Sequence, residues 1–76
     1  MIENILVELK DGQIKKDLEK SLPCYSVDCK IKDTERKNVL EVSFDNSQKI
    51  KDNLQNETPK ELITRYVSDN GFKILK

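Results

Sequence analysis

Two runs of alternating apolar and polar residues follow each other at positions 25–45, in the stretch YSVDCKIKDTERKNVLEVSFD. The apolar positions of the first run are Tyr25, Val27, Cys29 and Ile31, and those of the second are Leu40, Val42 and Phe44. A period of two residues is typical of a strand with one buried face. Because the segment 33–38 between them is polar, the sequence predicts an antiparallel hairpin with one face toward water.

The residues before this hairpin predict a strand and then a helix. Residues 2–9 alternate as a strand would, with Ile5, Val7 and Leu9 inward, but an amphipathic helix also fits them. Their β-branched residues and the turn signal Asp11-Gly12 favour the strand. A helical stripe follows and ends before Pro23; its apolar residues are Ile14, Leu18 and Leu22.

The residues after the hairpin predict a second helix and a final strand. Segment 48–55 has only Ile50 and Leu54 as apolar residues, and loose helical turns are expected there. A helix start follows, in which Thr58 suits the N-cap, Pro59 the first turn and Glu61 the capping box. The apolar stripe of this helix consists of Leu62, Ile63, Tyr66 and Val67. Asn70-Gly71 ends it, and Phe72, Lys73 and Ile74 form a short strand.

The predicted order of elements is therefore βαββαβ in a single domain, residues 1–76. Right-handed crossovers place both helices on the same face of the sheet. The expected fold is α+β, a ferredoxin-like two-layer sandwich with a four-stranded antiparallel sheet and two helices on one face.

Composition excludes several classes of function. The 76 residues are 37% charged, and 14 Lys and Arg balance 14 Asp and Glu, so no net field attracts nucleic acid or an anionic membrane. Histidine is absent, as are a nucleophile motif and a glycine-rich phosphate loop, so we do not expect an enzyme. No long apolar run and no signal peptide are found, which predicts a cytoplasmic protein with no membrane partner and with reduced thiols.

Several segments of the chain resemble the heavy-metal-associated domain of copper chaperones and metal-transporting ATPases, namely 14–22, 27–31, 40–45, 59–63 and 70–74. That family holds Cu(I) with a Met-x-Cys-x-x-Cys motif after its first strand. Here Leu9, Asp11 and Ile14 occupy the Met and the two Cys positions. The resemblance implies the fold, whereas the missing thiols imply no metal ligands and no cofactor.

The two cysteines are not expected to form a pair. Five residues of strand separate Cys24 and Cys29 by roughly 16 Å, whereas a disulfide bond needs Cα atoms within about 7 Å. They also have opposite parity, so their side chains would point to opposite faces. Cys29 is then a small buried apolar residue, and Cys24 is a thiol at a loop edge.

Two groups of residues are candidates for binding. Lys30, Lys32, Arg36 and Lys37 cluster on the hairpin and are candidates for weak nucleic-acid contact. Nearby acidic residues and the lack of exposed aromatic residues on the strands argue against that role. Met1, Ile2 and Leu6 fit no core stripe, and are candidates for a protein interface.

These observations predict that the chain is a small non-enzymatic binding or regulatory module. It is expected to act through protein–protein contacts, with another protein or with a second copy as a homodimer. Two alternatives stay open. One is a metal-ion (copper) handling protein with a degenerate site, and the other is a nucleic-acid-binding accessory protein that uses the hairpin lysines.

Overall fold

The computed structural model describes residues 1–75, which form four strands and two helices. In chain order the elements are β1 (Ile2–Glu8), α1 (Lys15–Ser21), β2 (Cys29–Asp33), β3 (Val39–Asp45), α2 (Pro59–Asp69) and β4 (Lys73–Ile74). The strands make one open antiparallel sheet in the order β2-β3-β1-β4. The predicted α+β class, with a four-stranded antiparallel sheet and two helices, is confirmed. In the described part of the chain no helix is long and apolar enough to cross a membrane.

Residues 2–8 are a strand, and the helical alternative is wrong. β1 pairs along its whole length with β3, from Ile2 opposite Asp45 to Glu8 opposite Val39. Alternation along β1 buries Ile5 and Val7 and leaves Leu6 on the other face. The sheet therefore has a core face and a second face that neither helix covers, which we call the open face.

Both helices pack against the core face of the sheet. α1 contributes Leu18, α2 contributes Leu62, Ile63 and Val67, and the two helices contact each other. These side chains join the core-facing residues of the strands in one apolar cluster, whose strand members are Ile5, Val7, Leu40, Val42 and Phe44. Cys29 and Ile31 of β2 are partly buried against this cluster.

α2 begins and ends as the sequence predicts. Thr58 Oγ1 accepts a hydrogen bond from the Glu61 backbone N–H at 3.2 Å, and Glu61 Oε1 accepts one from the Thr58 N–H at 2.9 Å. This reciprocal capping box satisfies donors that the first turn leaves unpaired. At the other end Gly71 has φ +83°, in the left-handed region that favours glycine.

The start of β2 was predicted wrongly. Residues 24–26 form a turn, and β2 begins only at Cys29. The turn arises because the Ser26 and Val27 N–H groups both donate to the Pro23 carbonyl, at 3.0 Å each. Tyr25, which was assigned to the core face, is consequently 71% exposed.

Two further apolar residues lie outside the core cluster, and one of them, Ile14, was expected to face the core. Ile14 is exposed because it is the N-cap of α1, where its backbone N–H donates to Asp17 Oδ2 at 2.9 Å. Segment 48–55 forms turns rather than a helix. Within it Ile50 is buried in the core cluster, whereas Leu54 is 96% exposed.

Candidate functional site

A shallow groove crosses one end of the sheet from the N-terminus to β2, and we call it the β2 groove. Its lining residues are Ile2, Cys24, Asp28, Cys29, Lys30, Lys32, Ser43, Phe44, Asp45 and Gln48. The groove therefore brings together some residues from each of three sets that the sequence leaves apart. These are the predicted protein interface, the hairpin lysines and the two cysteines.

The N-terminus is fixed at one end of the β2 groove. The Met1 ammonium group donates to Asp45 Oδ1 at 2.8 Å and to Ser47 Oγ at 3.3 Å. The hydrogen bond from Met1, with two more from the Ser47 hydroxyl and backbone N–H, holds the pKa of the Asp45 carboxyl far below its usual range. Ile2, next in the chain, is 72% exposed. A partner that reaches the groove thus meets an apolar side chain beside an ion pair.

The hairpin lysines do not form one basic patch. Lys30 and Lys32 are exposed on β2 and line the groove, opposite Ser43 and Glu41 of β3. Arg36 and Lys37 are exposed in the turn between β2 and β3 and do not line the groove. None of the paired residues on the open face is aromatic.

Cys24 and Cys29 are in contact, so the predicted separation of about 16 Å is wrong. Their Sγ atoms are 3.7 Å apart, and both thiols are free. The error follows from the turn at 24–26, since a strand would have carried Cys24 away from Cys29. Pro23, immediately before Cys24, is the feature of the sequence that favours a turn at this place.

The two thiols differ in their surroundings. Cys24 is exposed, whereas Cys29 is half-buried and packs against the core cluster. Burial raises the pKa of the Cys29 thiol to about 12, with contributions from the contact with Cys24 and from the nearby Asp28 charge. Both cysteines also line a second shallow cleft between α1 and β2, beside Lys15 and Glu19.

Gln48 fixes the segment that carries the cysteines, a role that sequence analysis did not assign. Its Oε1 accepts from the Asp28 N–H at 2.9 Å. Its Nε2 donates to the Asp28 carbonyl at 3.0 Å and to the Asp45 carbonyl at 2.9 Å. Through these three bonds the side chain ties the residue before Cys29 to the end of β3.

A second polar cluster joins the 24–26 turn to α2. The hydroxyl groups of Tyr25 and Tyr66 are hydrogen-bonded to each other. Arg65 lies over the Tyr66 ring, 5.1 Å from its centroid, and makes two hydrogen bonds of 3.0 and 2.9 Å to the Glu57 carboxylate. Tyr25 is therefore exposed but held in place.

The outer edge of β1 is only partly paired. β4 pairs with Val7 and Glu8, and the Leu75 N–H donates to the Leu6 carbonyl at 2.8 Å. On the other side of β1, the Asn46 N–H donates to the Met1 carbonyl and the Leu9 N–H to the Asn38 carbonyl. Odd-numbered residues of β1 therefore bond to β3, and even-numbered residues direct their backbone groups outward. Within residues 1–75 no strand pairs with the outward edge of residues 2–5.

The loop after β1 lacks the ligands of the resembled family's site. Asp11 is exposed in a turn, and Ile14 is the exposed N-cap of α1. In residues 1–75 no three side chains of His, Cys, Asp or Glu come together in a way that could hold a metal ion.

Comparison with known proteins gives no match to a family model, to a curated protein or to a solved structure.

The contrast between the two cysteines predicts different mutational effects. Cys29→Ala is expected to lower the free energy of unfolding by about 1 kcal/mol, because it removes a sulfur that packs against the core. Cys24→Ala is expected to change it by less than about 0.5 kcal/mol, because Cys24 is exposed. Urea denaturation under reducing conditions measures both, and equal midpoints would contradict this assignment.

Proposed function

We propose that this chain is a small non-enzymatic binding module of ferredoxin-like fold, similar to a heavy-metal-associated domain without its metal site. In this proposal it binds a partner protein, whose extended segment adds to the sheet beside residues 2–5 of β1. The observation that carries the proposal is the unpaired outward edge of these residues, next to two exposed apolar side chains. The element order and the sheet order β2-β3-β1-β4 support the assignment of the fold.

The backbone geometry supports binding by strand addition. The N–H and C=O groups of Ile2 and Asn4 point away from β3, so an incoming strand finds regularly spaced donors and acceptors. Main-chain hydrogen bonds of this kind supply affinity, and side chains on alternate positions supply selectivity.

The side chains next to this edge support a protein partner over nucleic acid. Met1 is 82% exposed and Ile2 is 72% exposed, and on the same strand Leu6 is half-buried on the open face. Apolar area at a sheet edge gains about 25 cal/mol per Å² when a partner covers it. An RNA-binding sheet would instead present aromatic residues for base stacking, and the open face has none at its paired positions.

Proline substitutions test strand addition directly. Asn4→Pro removes an N–H that points outward, so the free energy of unfolding should change by less than about 1 kcal/mol, as at edge positions that tolerate proline. Partner binding should fall at least about tenfold, because the incoming strand loses a hydrogen bond and meets the proline ring. Self-association is measured by light scattering. Binding to other proteins is measured by comparing what the wild type and Asn4→Pro capture from a lysate.

The matched control is Glu3→Pro, one residue away. Glu3 lies opposite Phe44 in the set of residues that bond to β3, so its N–H is needed inside the sheet. This variant should lose about 1–3 kcal/mol of stability, because it removes a hydrogen bond of the sheet and leaves the acceptor on β3 unpaired. If Asn4→Pro forms every complex that the wild type forms, strand addition at β1 is wrong.

A substitution at Leu6 distinguishes binding at the edge from binding over the open face. Leu6→Lys places an ammonium group opposite Glu41, which favours the folded monomer, so the thermal midpoint should stay within a few degrees of the wild type. A partner that covers Leu6 would bury an unpaired charge, and its affinity should fall at least about tenfold. If Leu6→Lys unfolds the monomer, Leu6 is needed for the core and is not a binding residue.

A further inference from the structure

The contact between Cys24 and Cys29 has no role in the proposed binding function. The two thiols lie at the β2 edge of the sheet, and the unpaired edge of β1 lies on the other side of β3. Their Sγ atoms are 3.7 Å apart, and a disulfide bond needs about 2 Å, so side-chain rotation has a short distance to close.

We propose that Cys24 and Cys29 form a reversible intramolecular disulfide, and that a low-molecular-weight disulfide such as glutathione disulfide is the oxidant. This is a modification site independent of the β1 edge. It makes the chain responsive to the thiol–disulfide balance of its surroundings.

The reaction proceeds by two exchange steps. The Cys24 thiolate attacks one sulfur of glutathione disulfide, the S–S bond of glutathione breaks, and the first glutathione leaves and takes up a proton. Cys29 then gives up its proton, and its thiolate attacks Cys24 Sγ. The bond between Cys24 and glutathione breaks, and the second glutathione leaves and is protonated. Two protein thiols are oxidised, and one glutathione disulfide is reduced to two glutathione molecules.

The different exposure of the two thiols decides which of them reacts with the oxidant first. Cys24 is exposed and accessible from both the β2 groove and the cleft beside α1, so it meets the oxidant first. Cys29 is half-buried, and its raised pKa keeps it a neutral thiol that does not compete with Cys24 for the oxidant. Cys29 is therefore the resolving cysteine.

The fold brings the two thiols together in a way that the unfolded chain does not. The Pro23 carbonyl accepts two N–H groups of the turn, and Gln48 binds the backbone of Asp28, so both ends of the segment 24–29 are fixed. The closing reaction should therefore be more favourable in the native protein than in the unfolded chain with the same spacing.

The experiment equilibrates the wild-type protein with mixtures of glutathione and glutathione disulfide, first without and then with a denaturing concentration of urea. Samples are quenched in acid, alkylated with N-ethylmaleimide in denaturant, and weighed by mass spectrometry. We expect the main oxidised species to be a monomer that lacks two hydrogens and takes up no N-ethylmaleimide. The equilibrium constant for its formation should be at least about tenfold larger without urea, a difference of about 30 mV in reduction potential.

Serine variants test the order of the two steps. Cys29→Ser should stop at the mixed disulfide between Cys24 and glutathione. Cys24→Ser should form a mixed disulfide at least about tenfold more slowly than Cys29→Ser, because its remaining thiol is half-buried.

Three results would overturn the proposal. They are a wild type that accumulates only mixed disulfides or cross-linked dimers, equal equilibrium constants with and without urea, and equal reaction rates for the two serine variants. If a serine variant does not fold, the wild-type comparison still decides the question. Because the β1 edge is not involved, Asn4→Pro should oxidise as the wild type does, whatever happens to its partner binding.

Discussion

Ile63→Ala is expected to lower the free energy of unfolding by about 2–5 kcal/mol, one of the two largest effects of any substitution considered for this chain. Ile63 has no exposed surface and lies in the core cluster, where α2 meets the sheet. The alanine leaves a cavity that the surrounding side chains fill only in part. For a chain of 76 residues, whose total stability is expected to be about 4–11 kcal/mol, this is a large loss. Urea denaturation followed by far-UV circular dichroism measures it.

Leu54→Ala is the matched control for Ile63→Ala. Both substitutions remove a four-carbon apolar side chain down to a methyl group, but Leu54 is 96% exposed. Its free energy of unfolding should differ from that of the wild type by less than about 0.5 kcal/mol. If Leu54→Ala lowers the free energy of unfolding as much as Ile63→Ala does, segment 48–55 packs differently from the arrangement described above.

Gln48→Ala is expected to lower the free energy of unfolding by about 2–3 kcal/mol. The substitution removes three side-chain hydrogen bonds to the backbone of Asp28 and Asp45. Each such bond contributes about 0.5–1.5 kcal/mol, and the Asp45 carbonyl, which would be left unpaired in a partly buried place, adds to the loss. Hydrogen exchange at the Asp28 amide should also become faster, because that N–H loses its acceptor.

Gln55→Ala is the matched control for Gln48→Ala. Gln55 is exposed, so the same chemical change should alter stability by less than about 0.5 kcal/mol. If Gln48→Ala is as mild as Gln55→Ala, the segment that precedes β2 does not depend on the Gln48 side chain.

Most regular elements could be predicted from the sequence because their signals are local. The alternation in 39–45 marks β3, and the capping residues Thr58 and Glu61 mark the start of α2. Such patterns record which face of an element is buried, and burial dominates the choice of structure in a small domain. The α+β class followed from these elements and their order.

The cysteine contact could not be predicted because it depends on a non-local interaction. The alternation of Tyr25 and Val27 with polar residues predicts the start of a strand. In the sheet, however, the pairing of β2 with β3 begins at Cys29 opposite Phe44, so Tyr25 and Val27 have no partner. The Pro23 carbonyl makes the turn instead, and the segment after it is held by Gln48, which lies twenty residues away from Asp28. A single amide side chain in a polar loop carries no periodic signal, so the contact of Cys24 with Cys29 could not be predicted from the sequence.

The hydrogen bond between Tyr25 and Tyr66 gives the protein an internal optical reporter. The chain has two tyrosines and no tryptophan, so its near-ultraviolet absorbance and intrinsic fluorescence come mainly from this pair. Their hydrogen bond, with a smaller effect of burial, raises the pKa of Tyr25, so its change in absorbance on alkaline titration shifts to higher pH. Because Tyr25 follows Cys24 directly, tyrosine emission reports whether the turn is docked on α2 without any added dye.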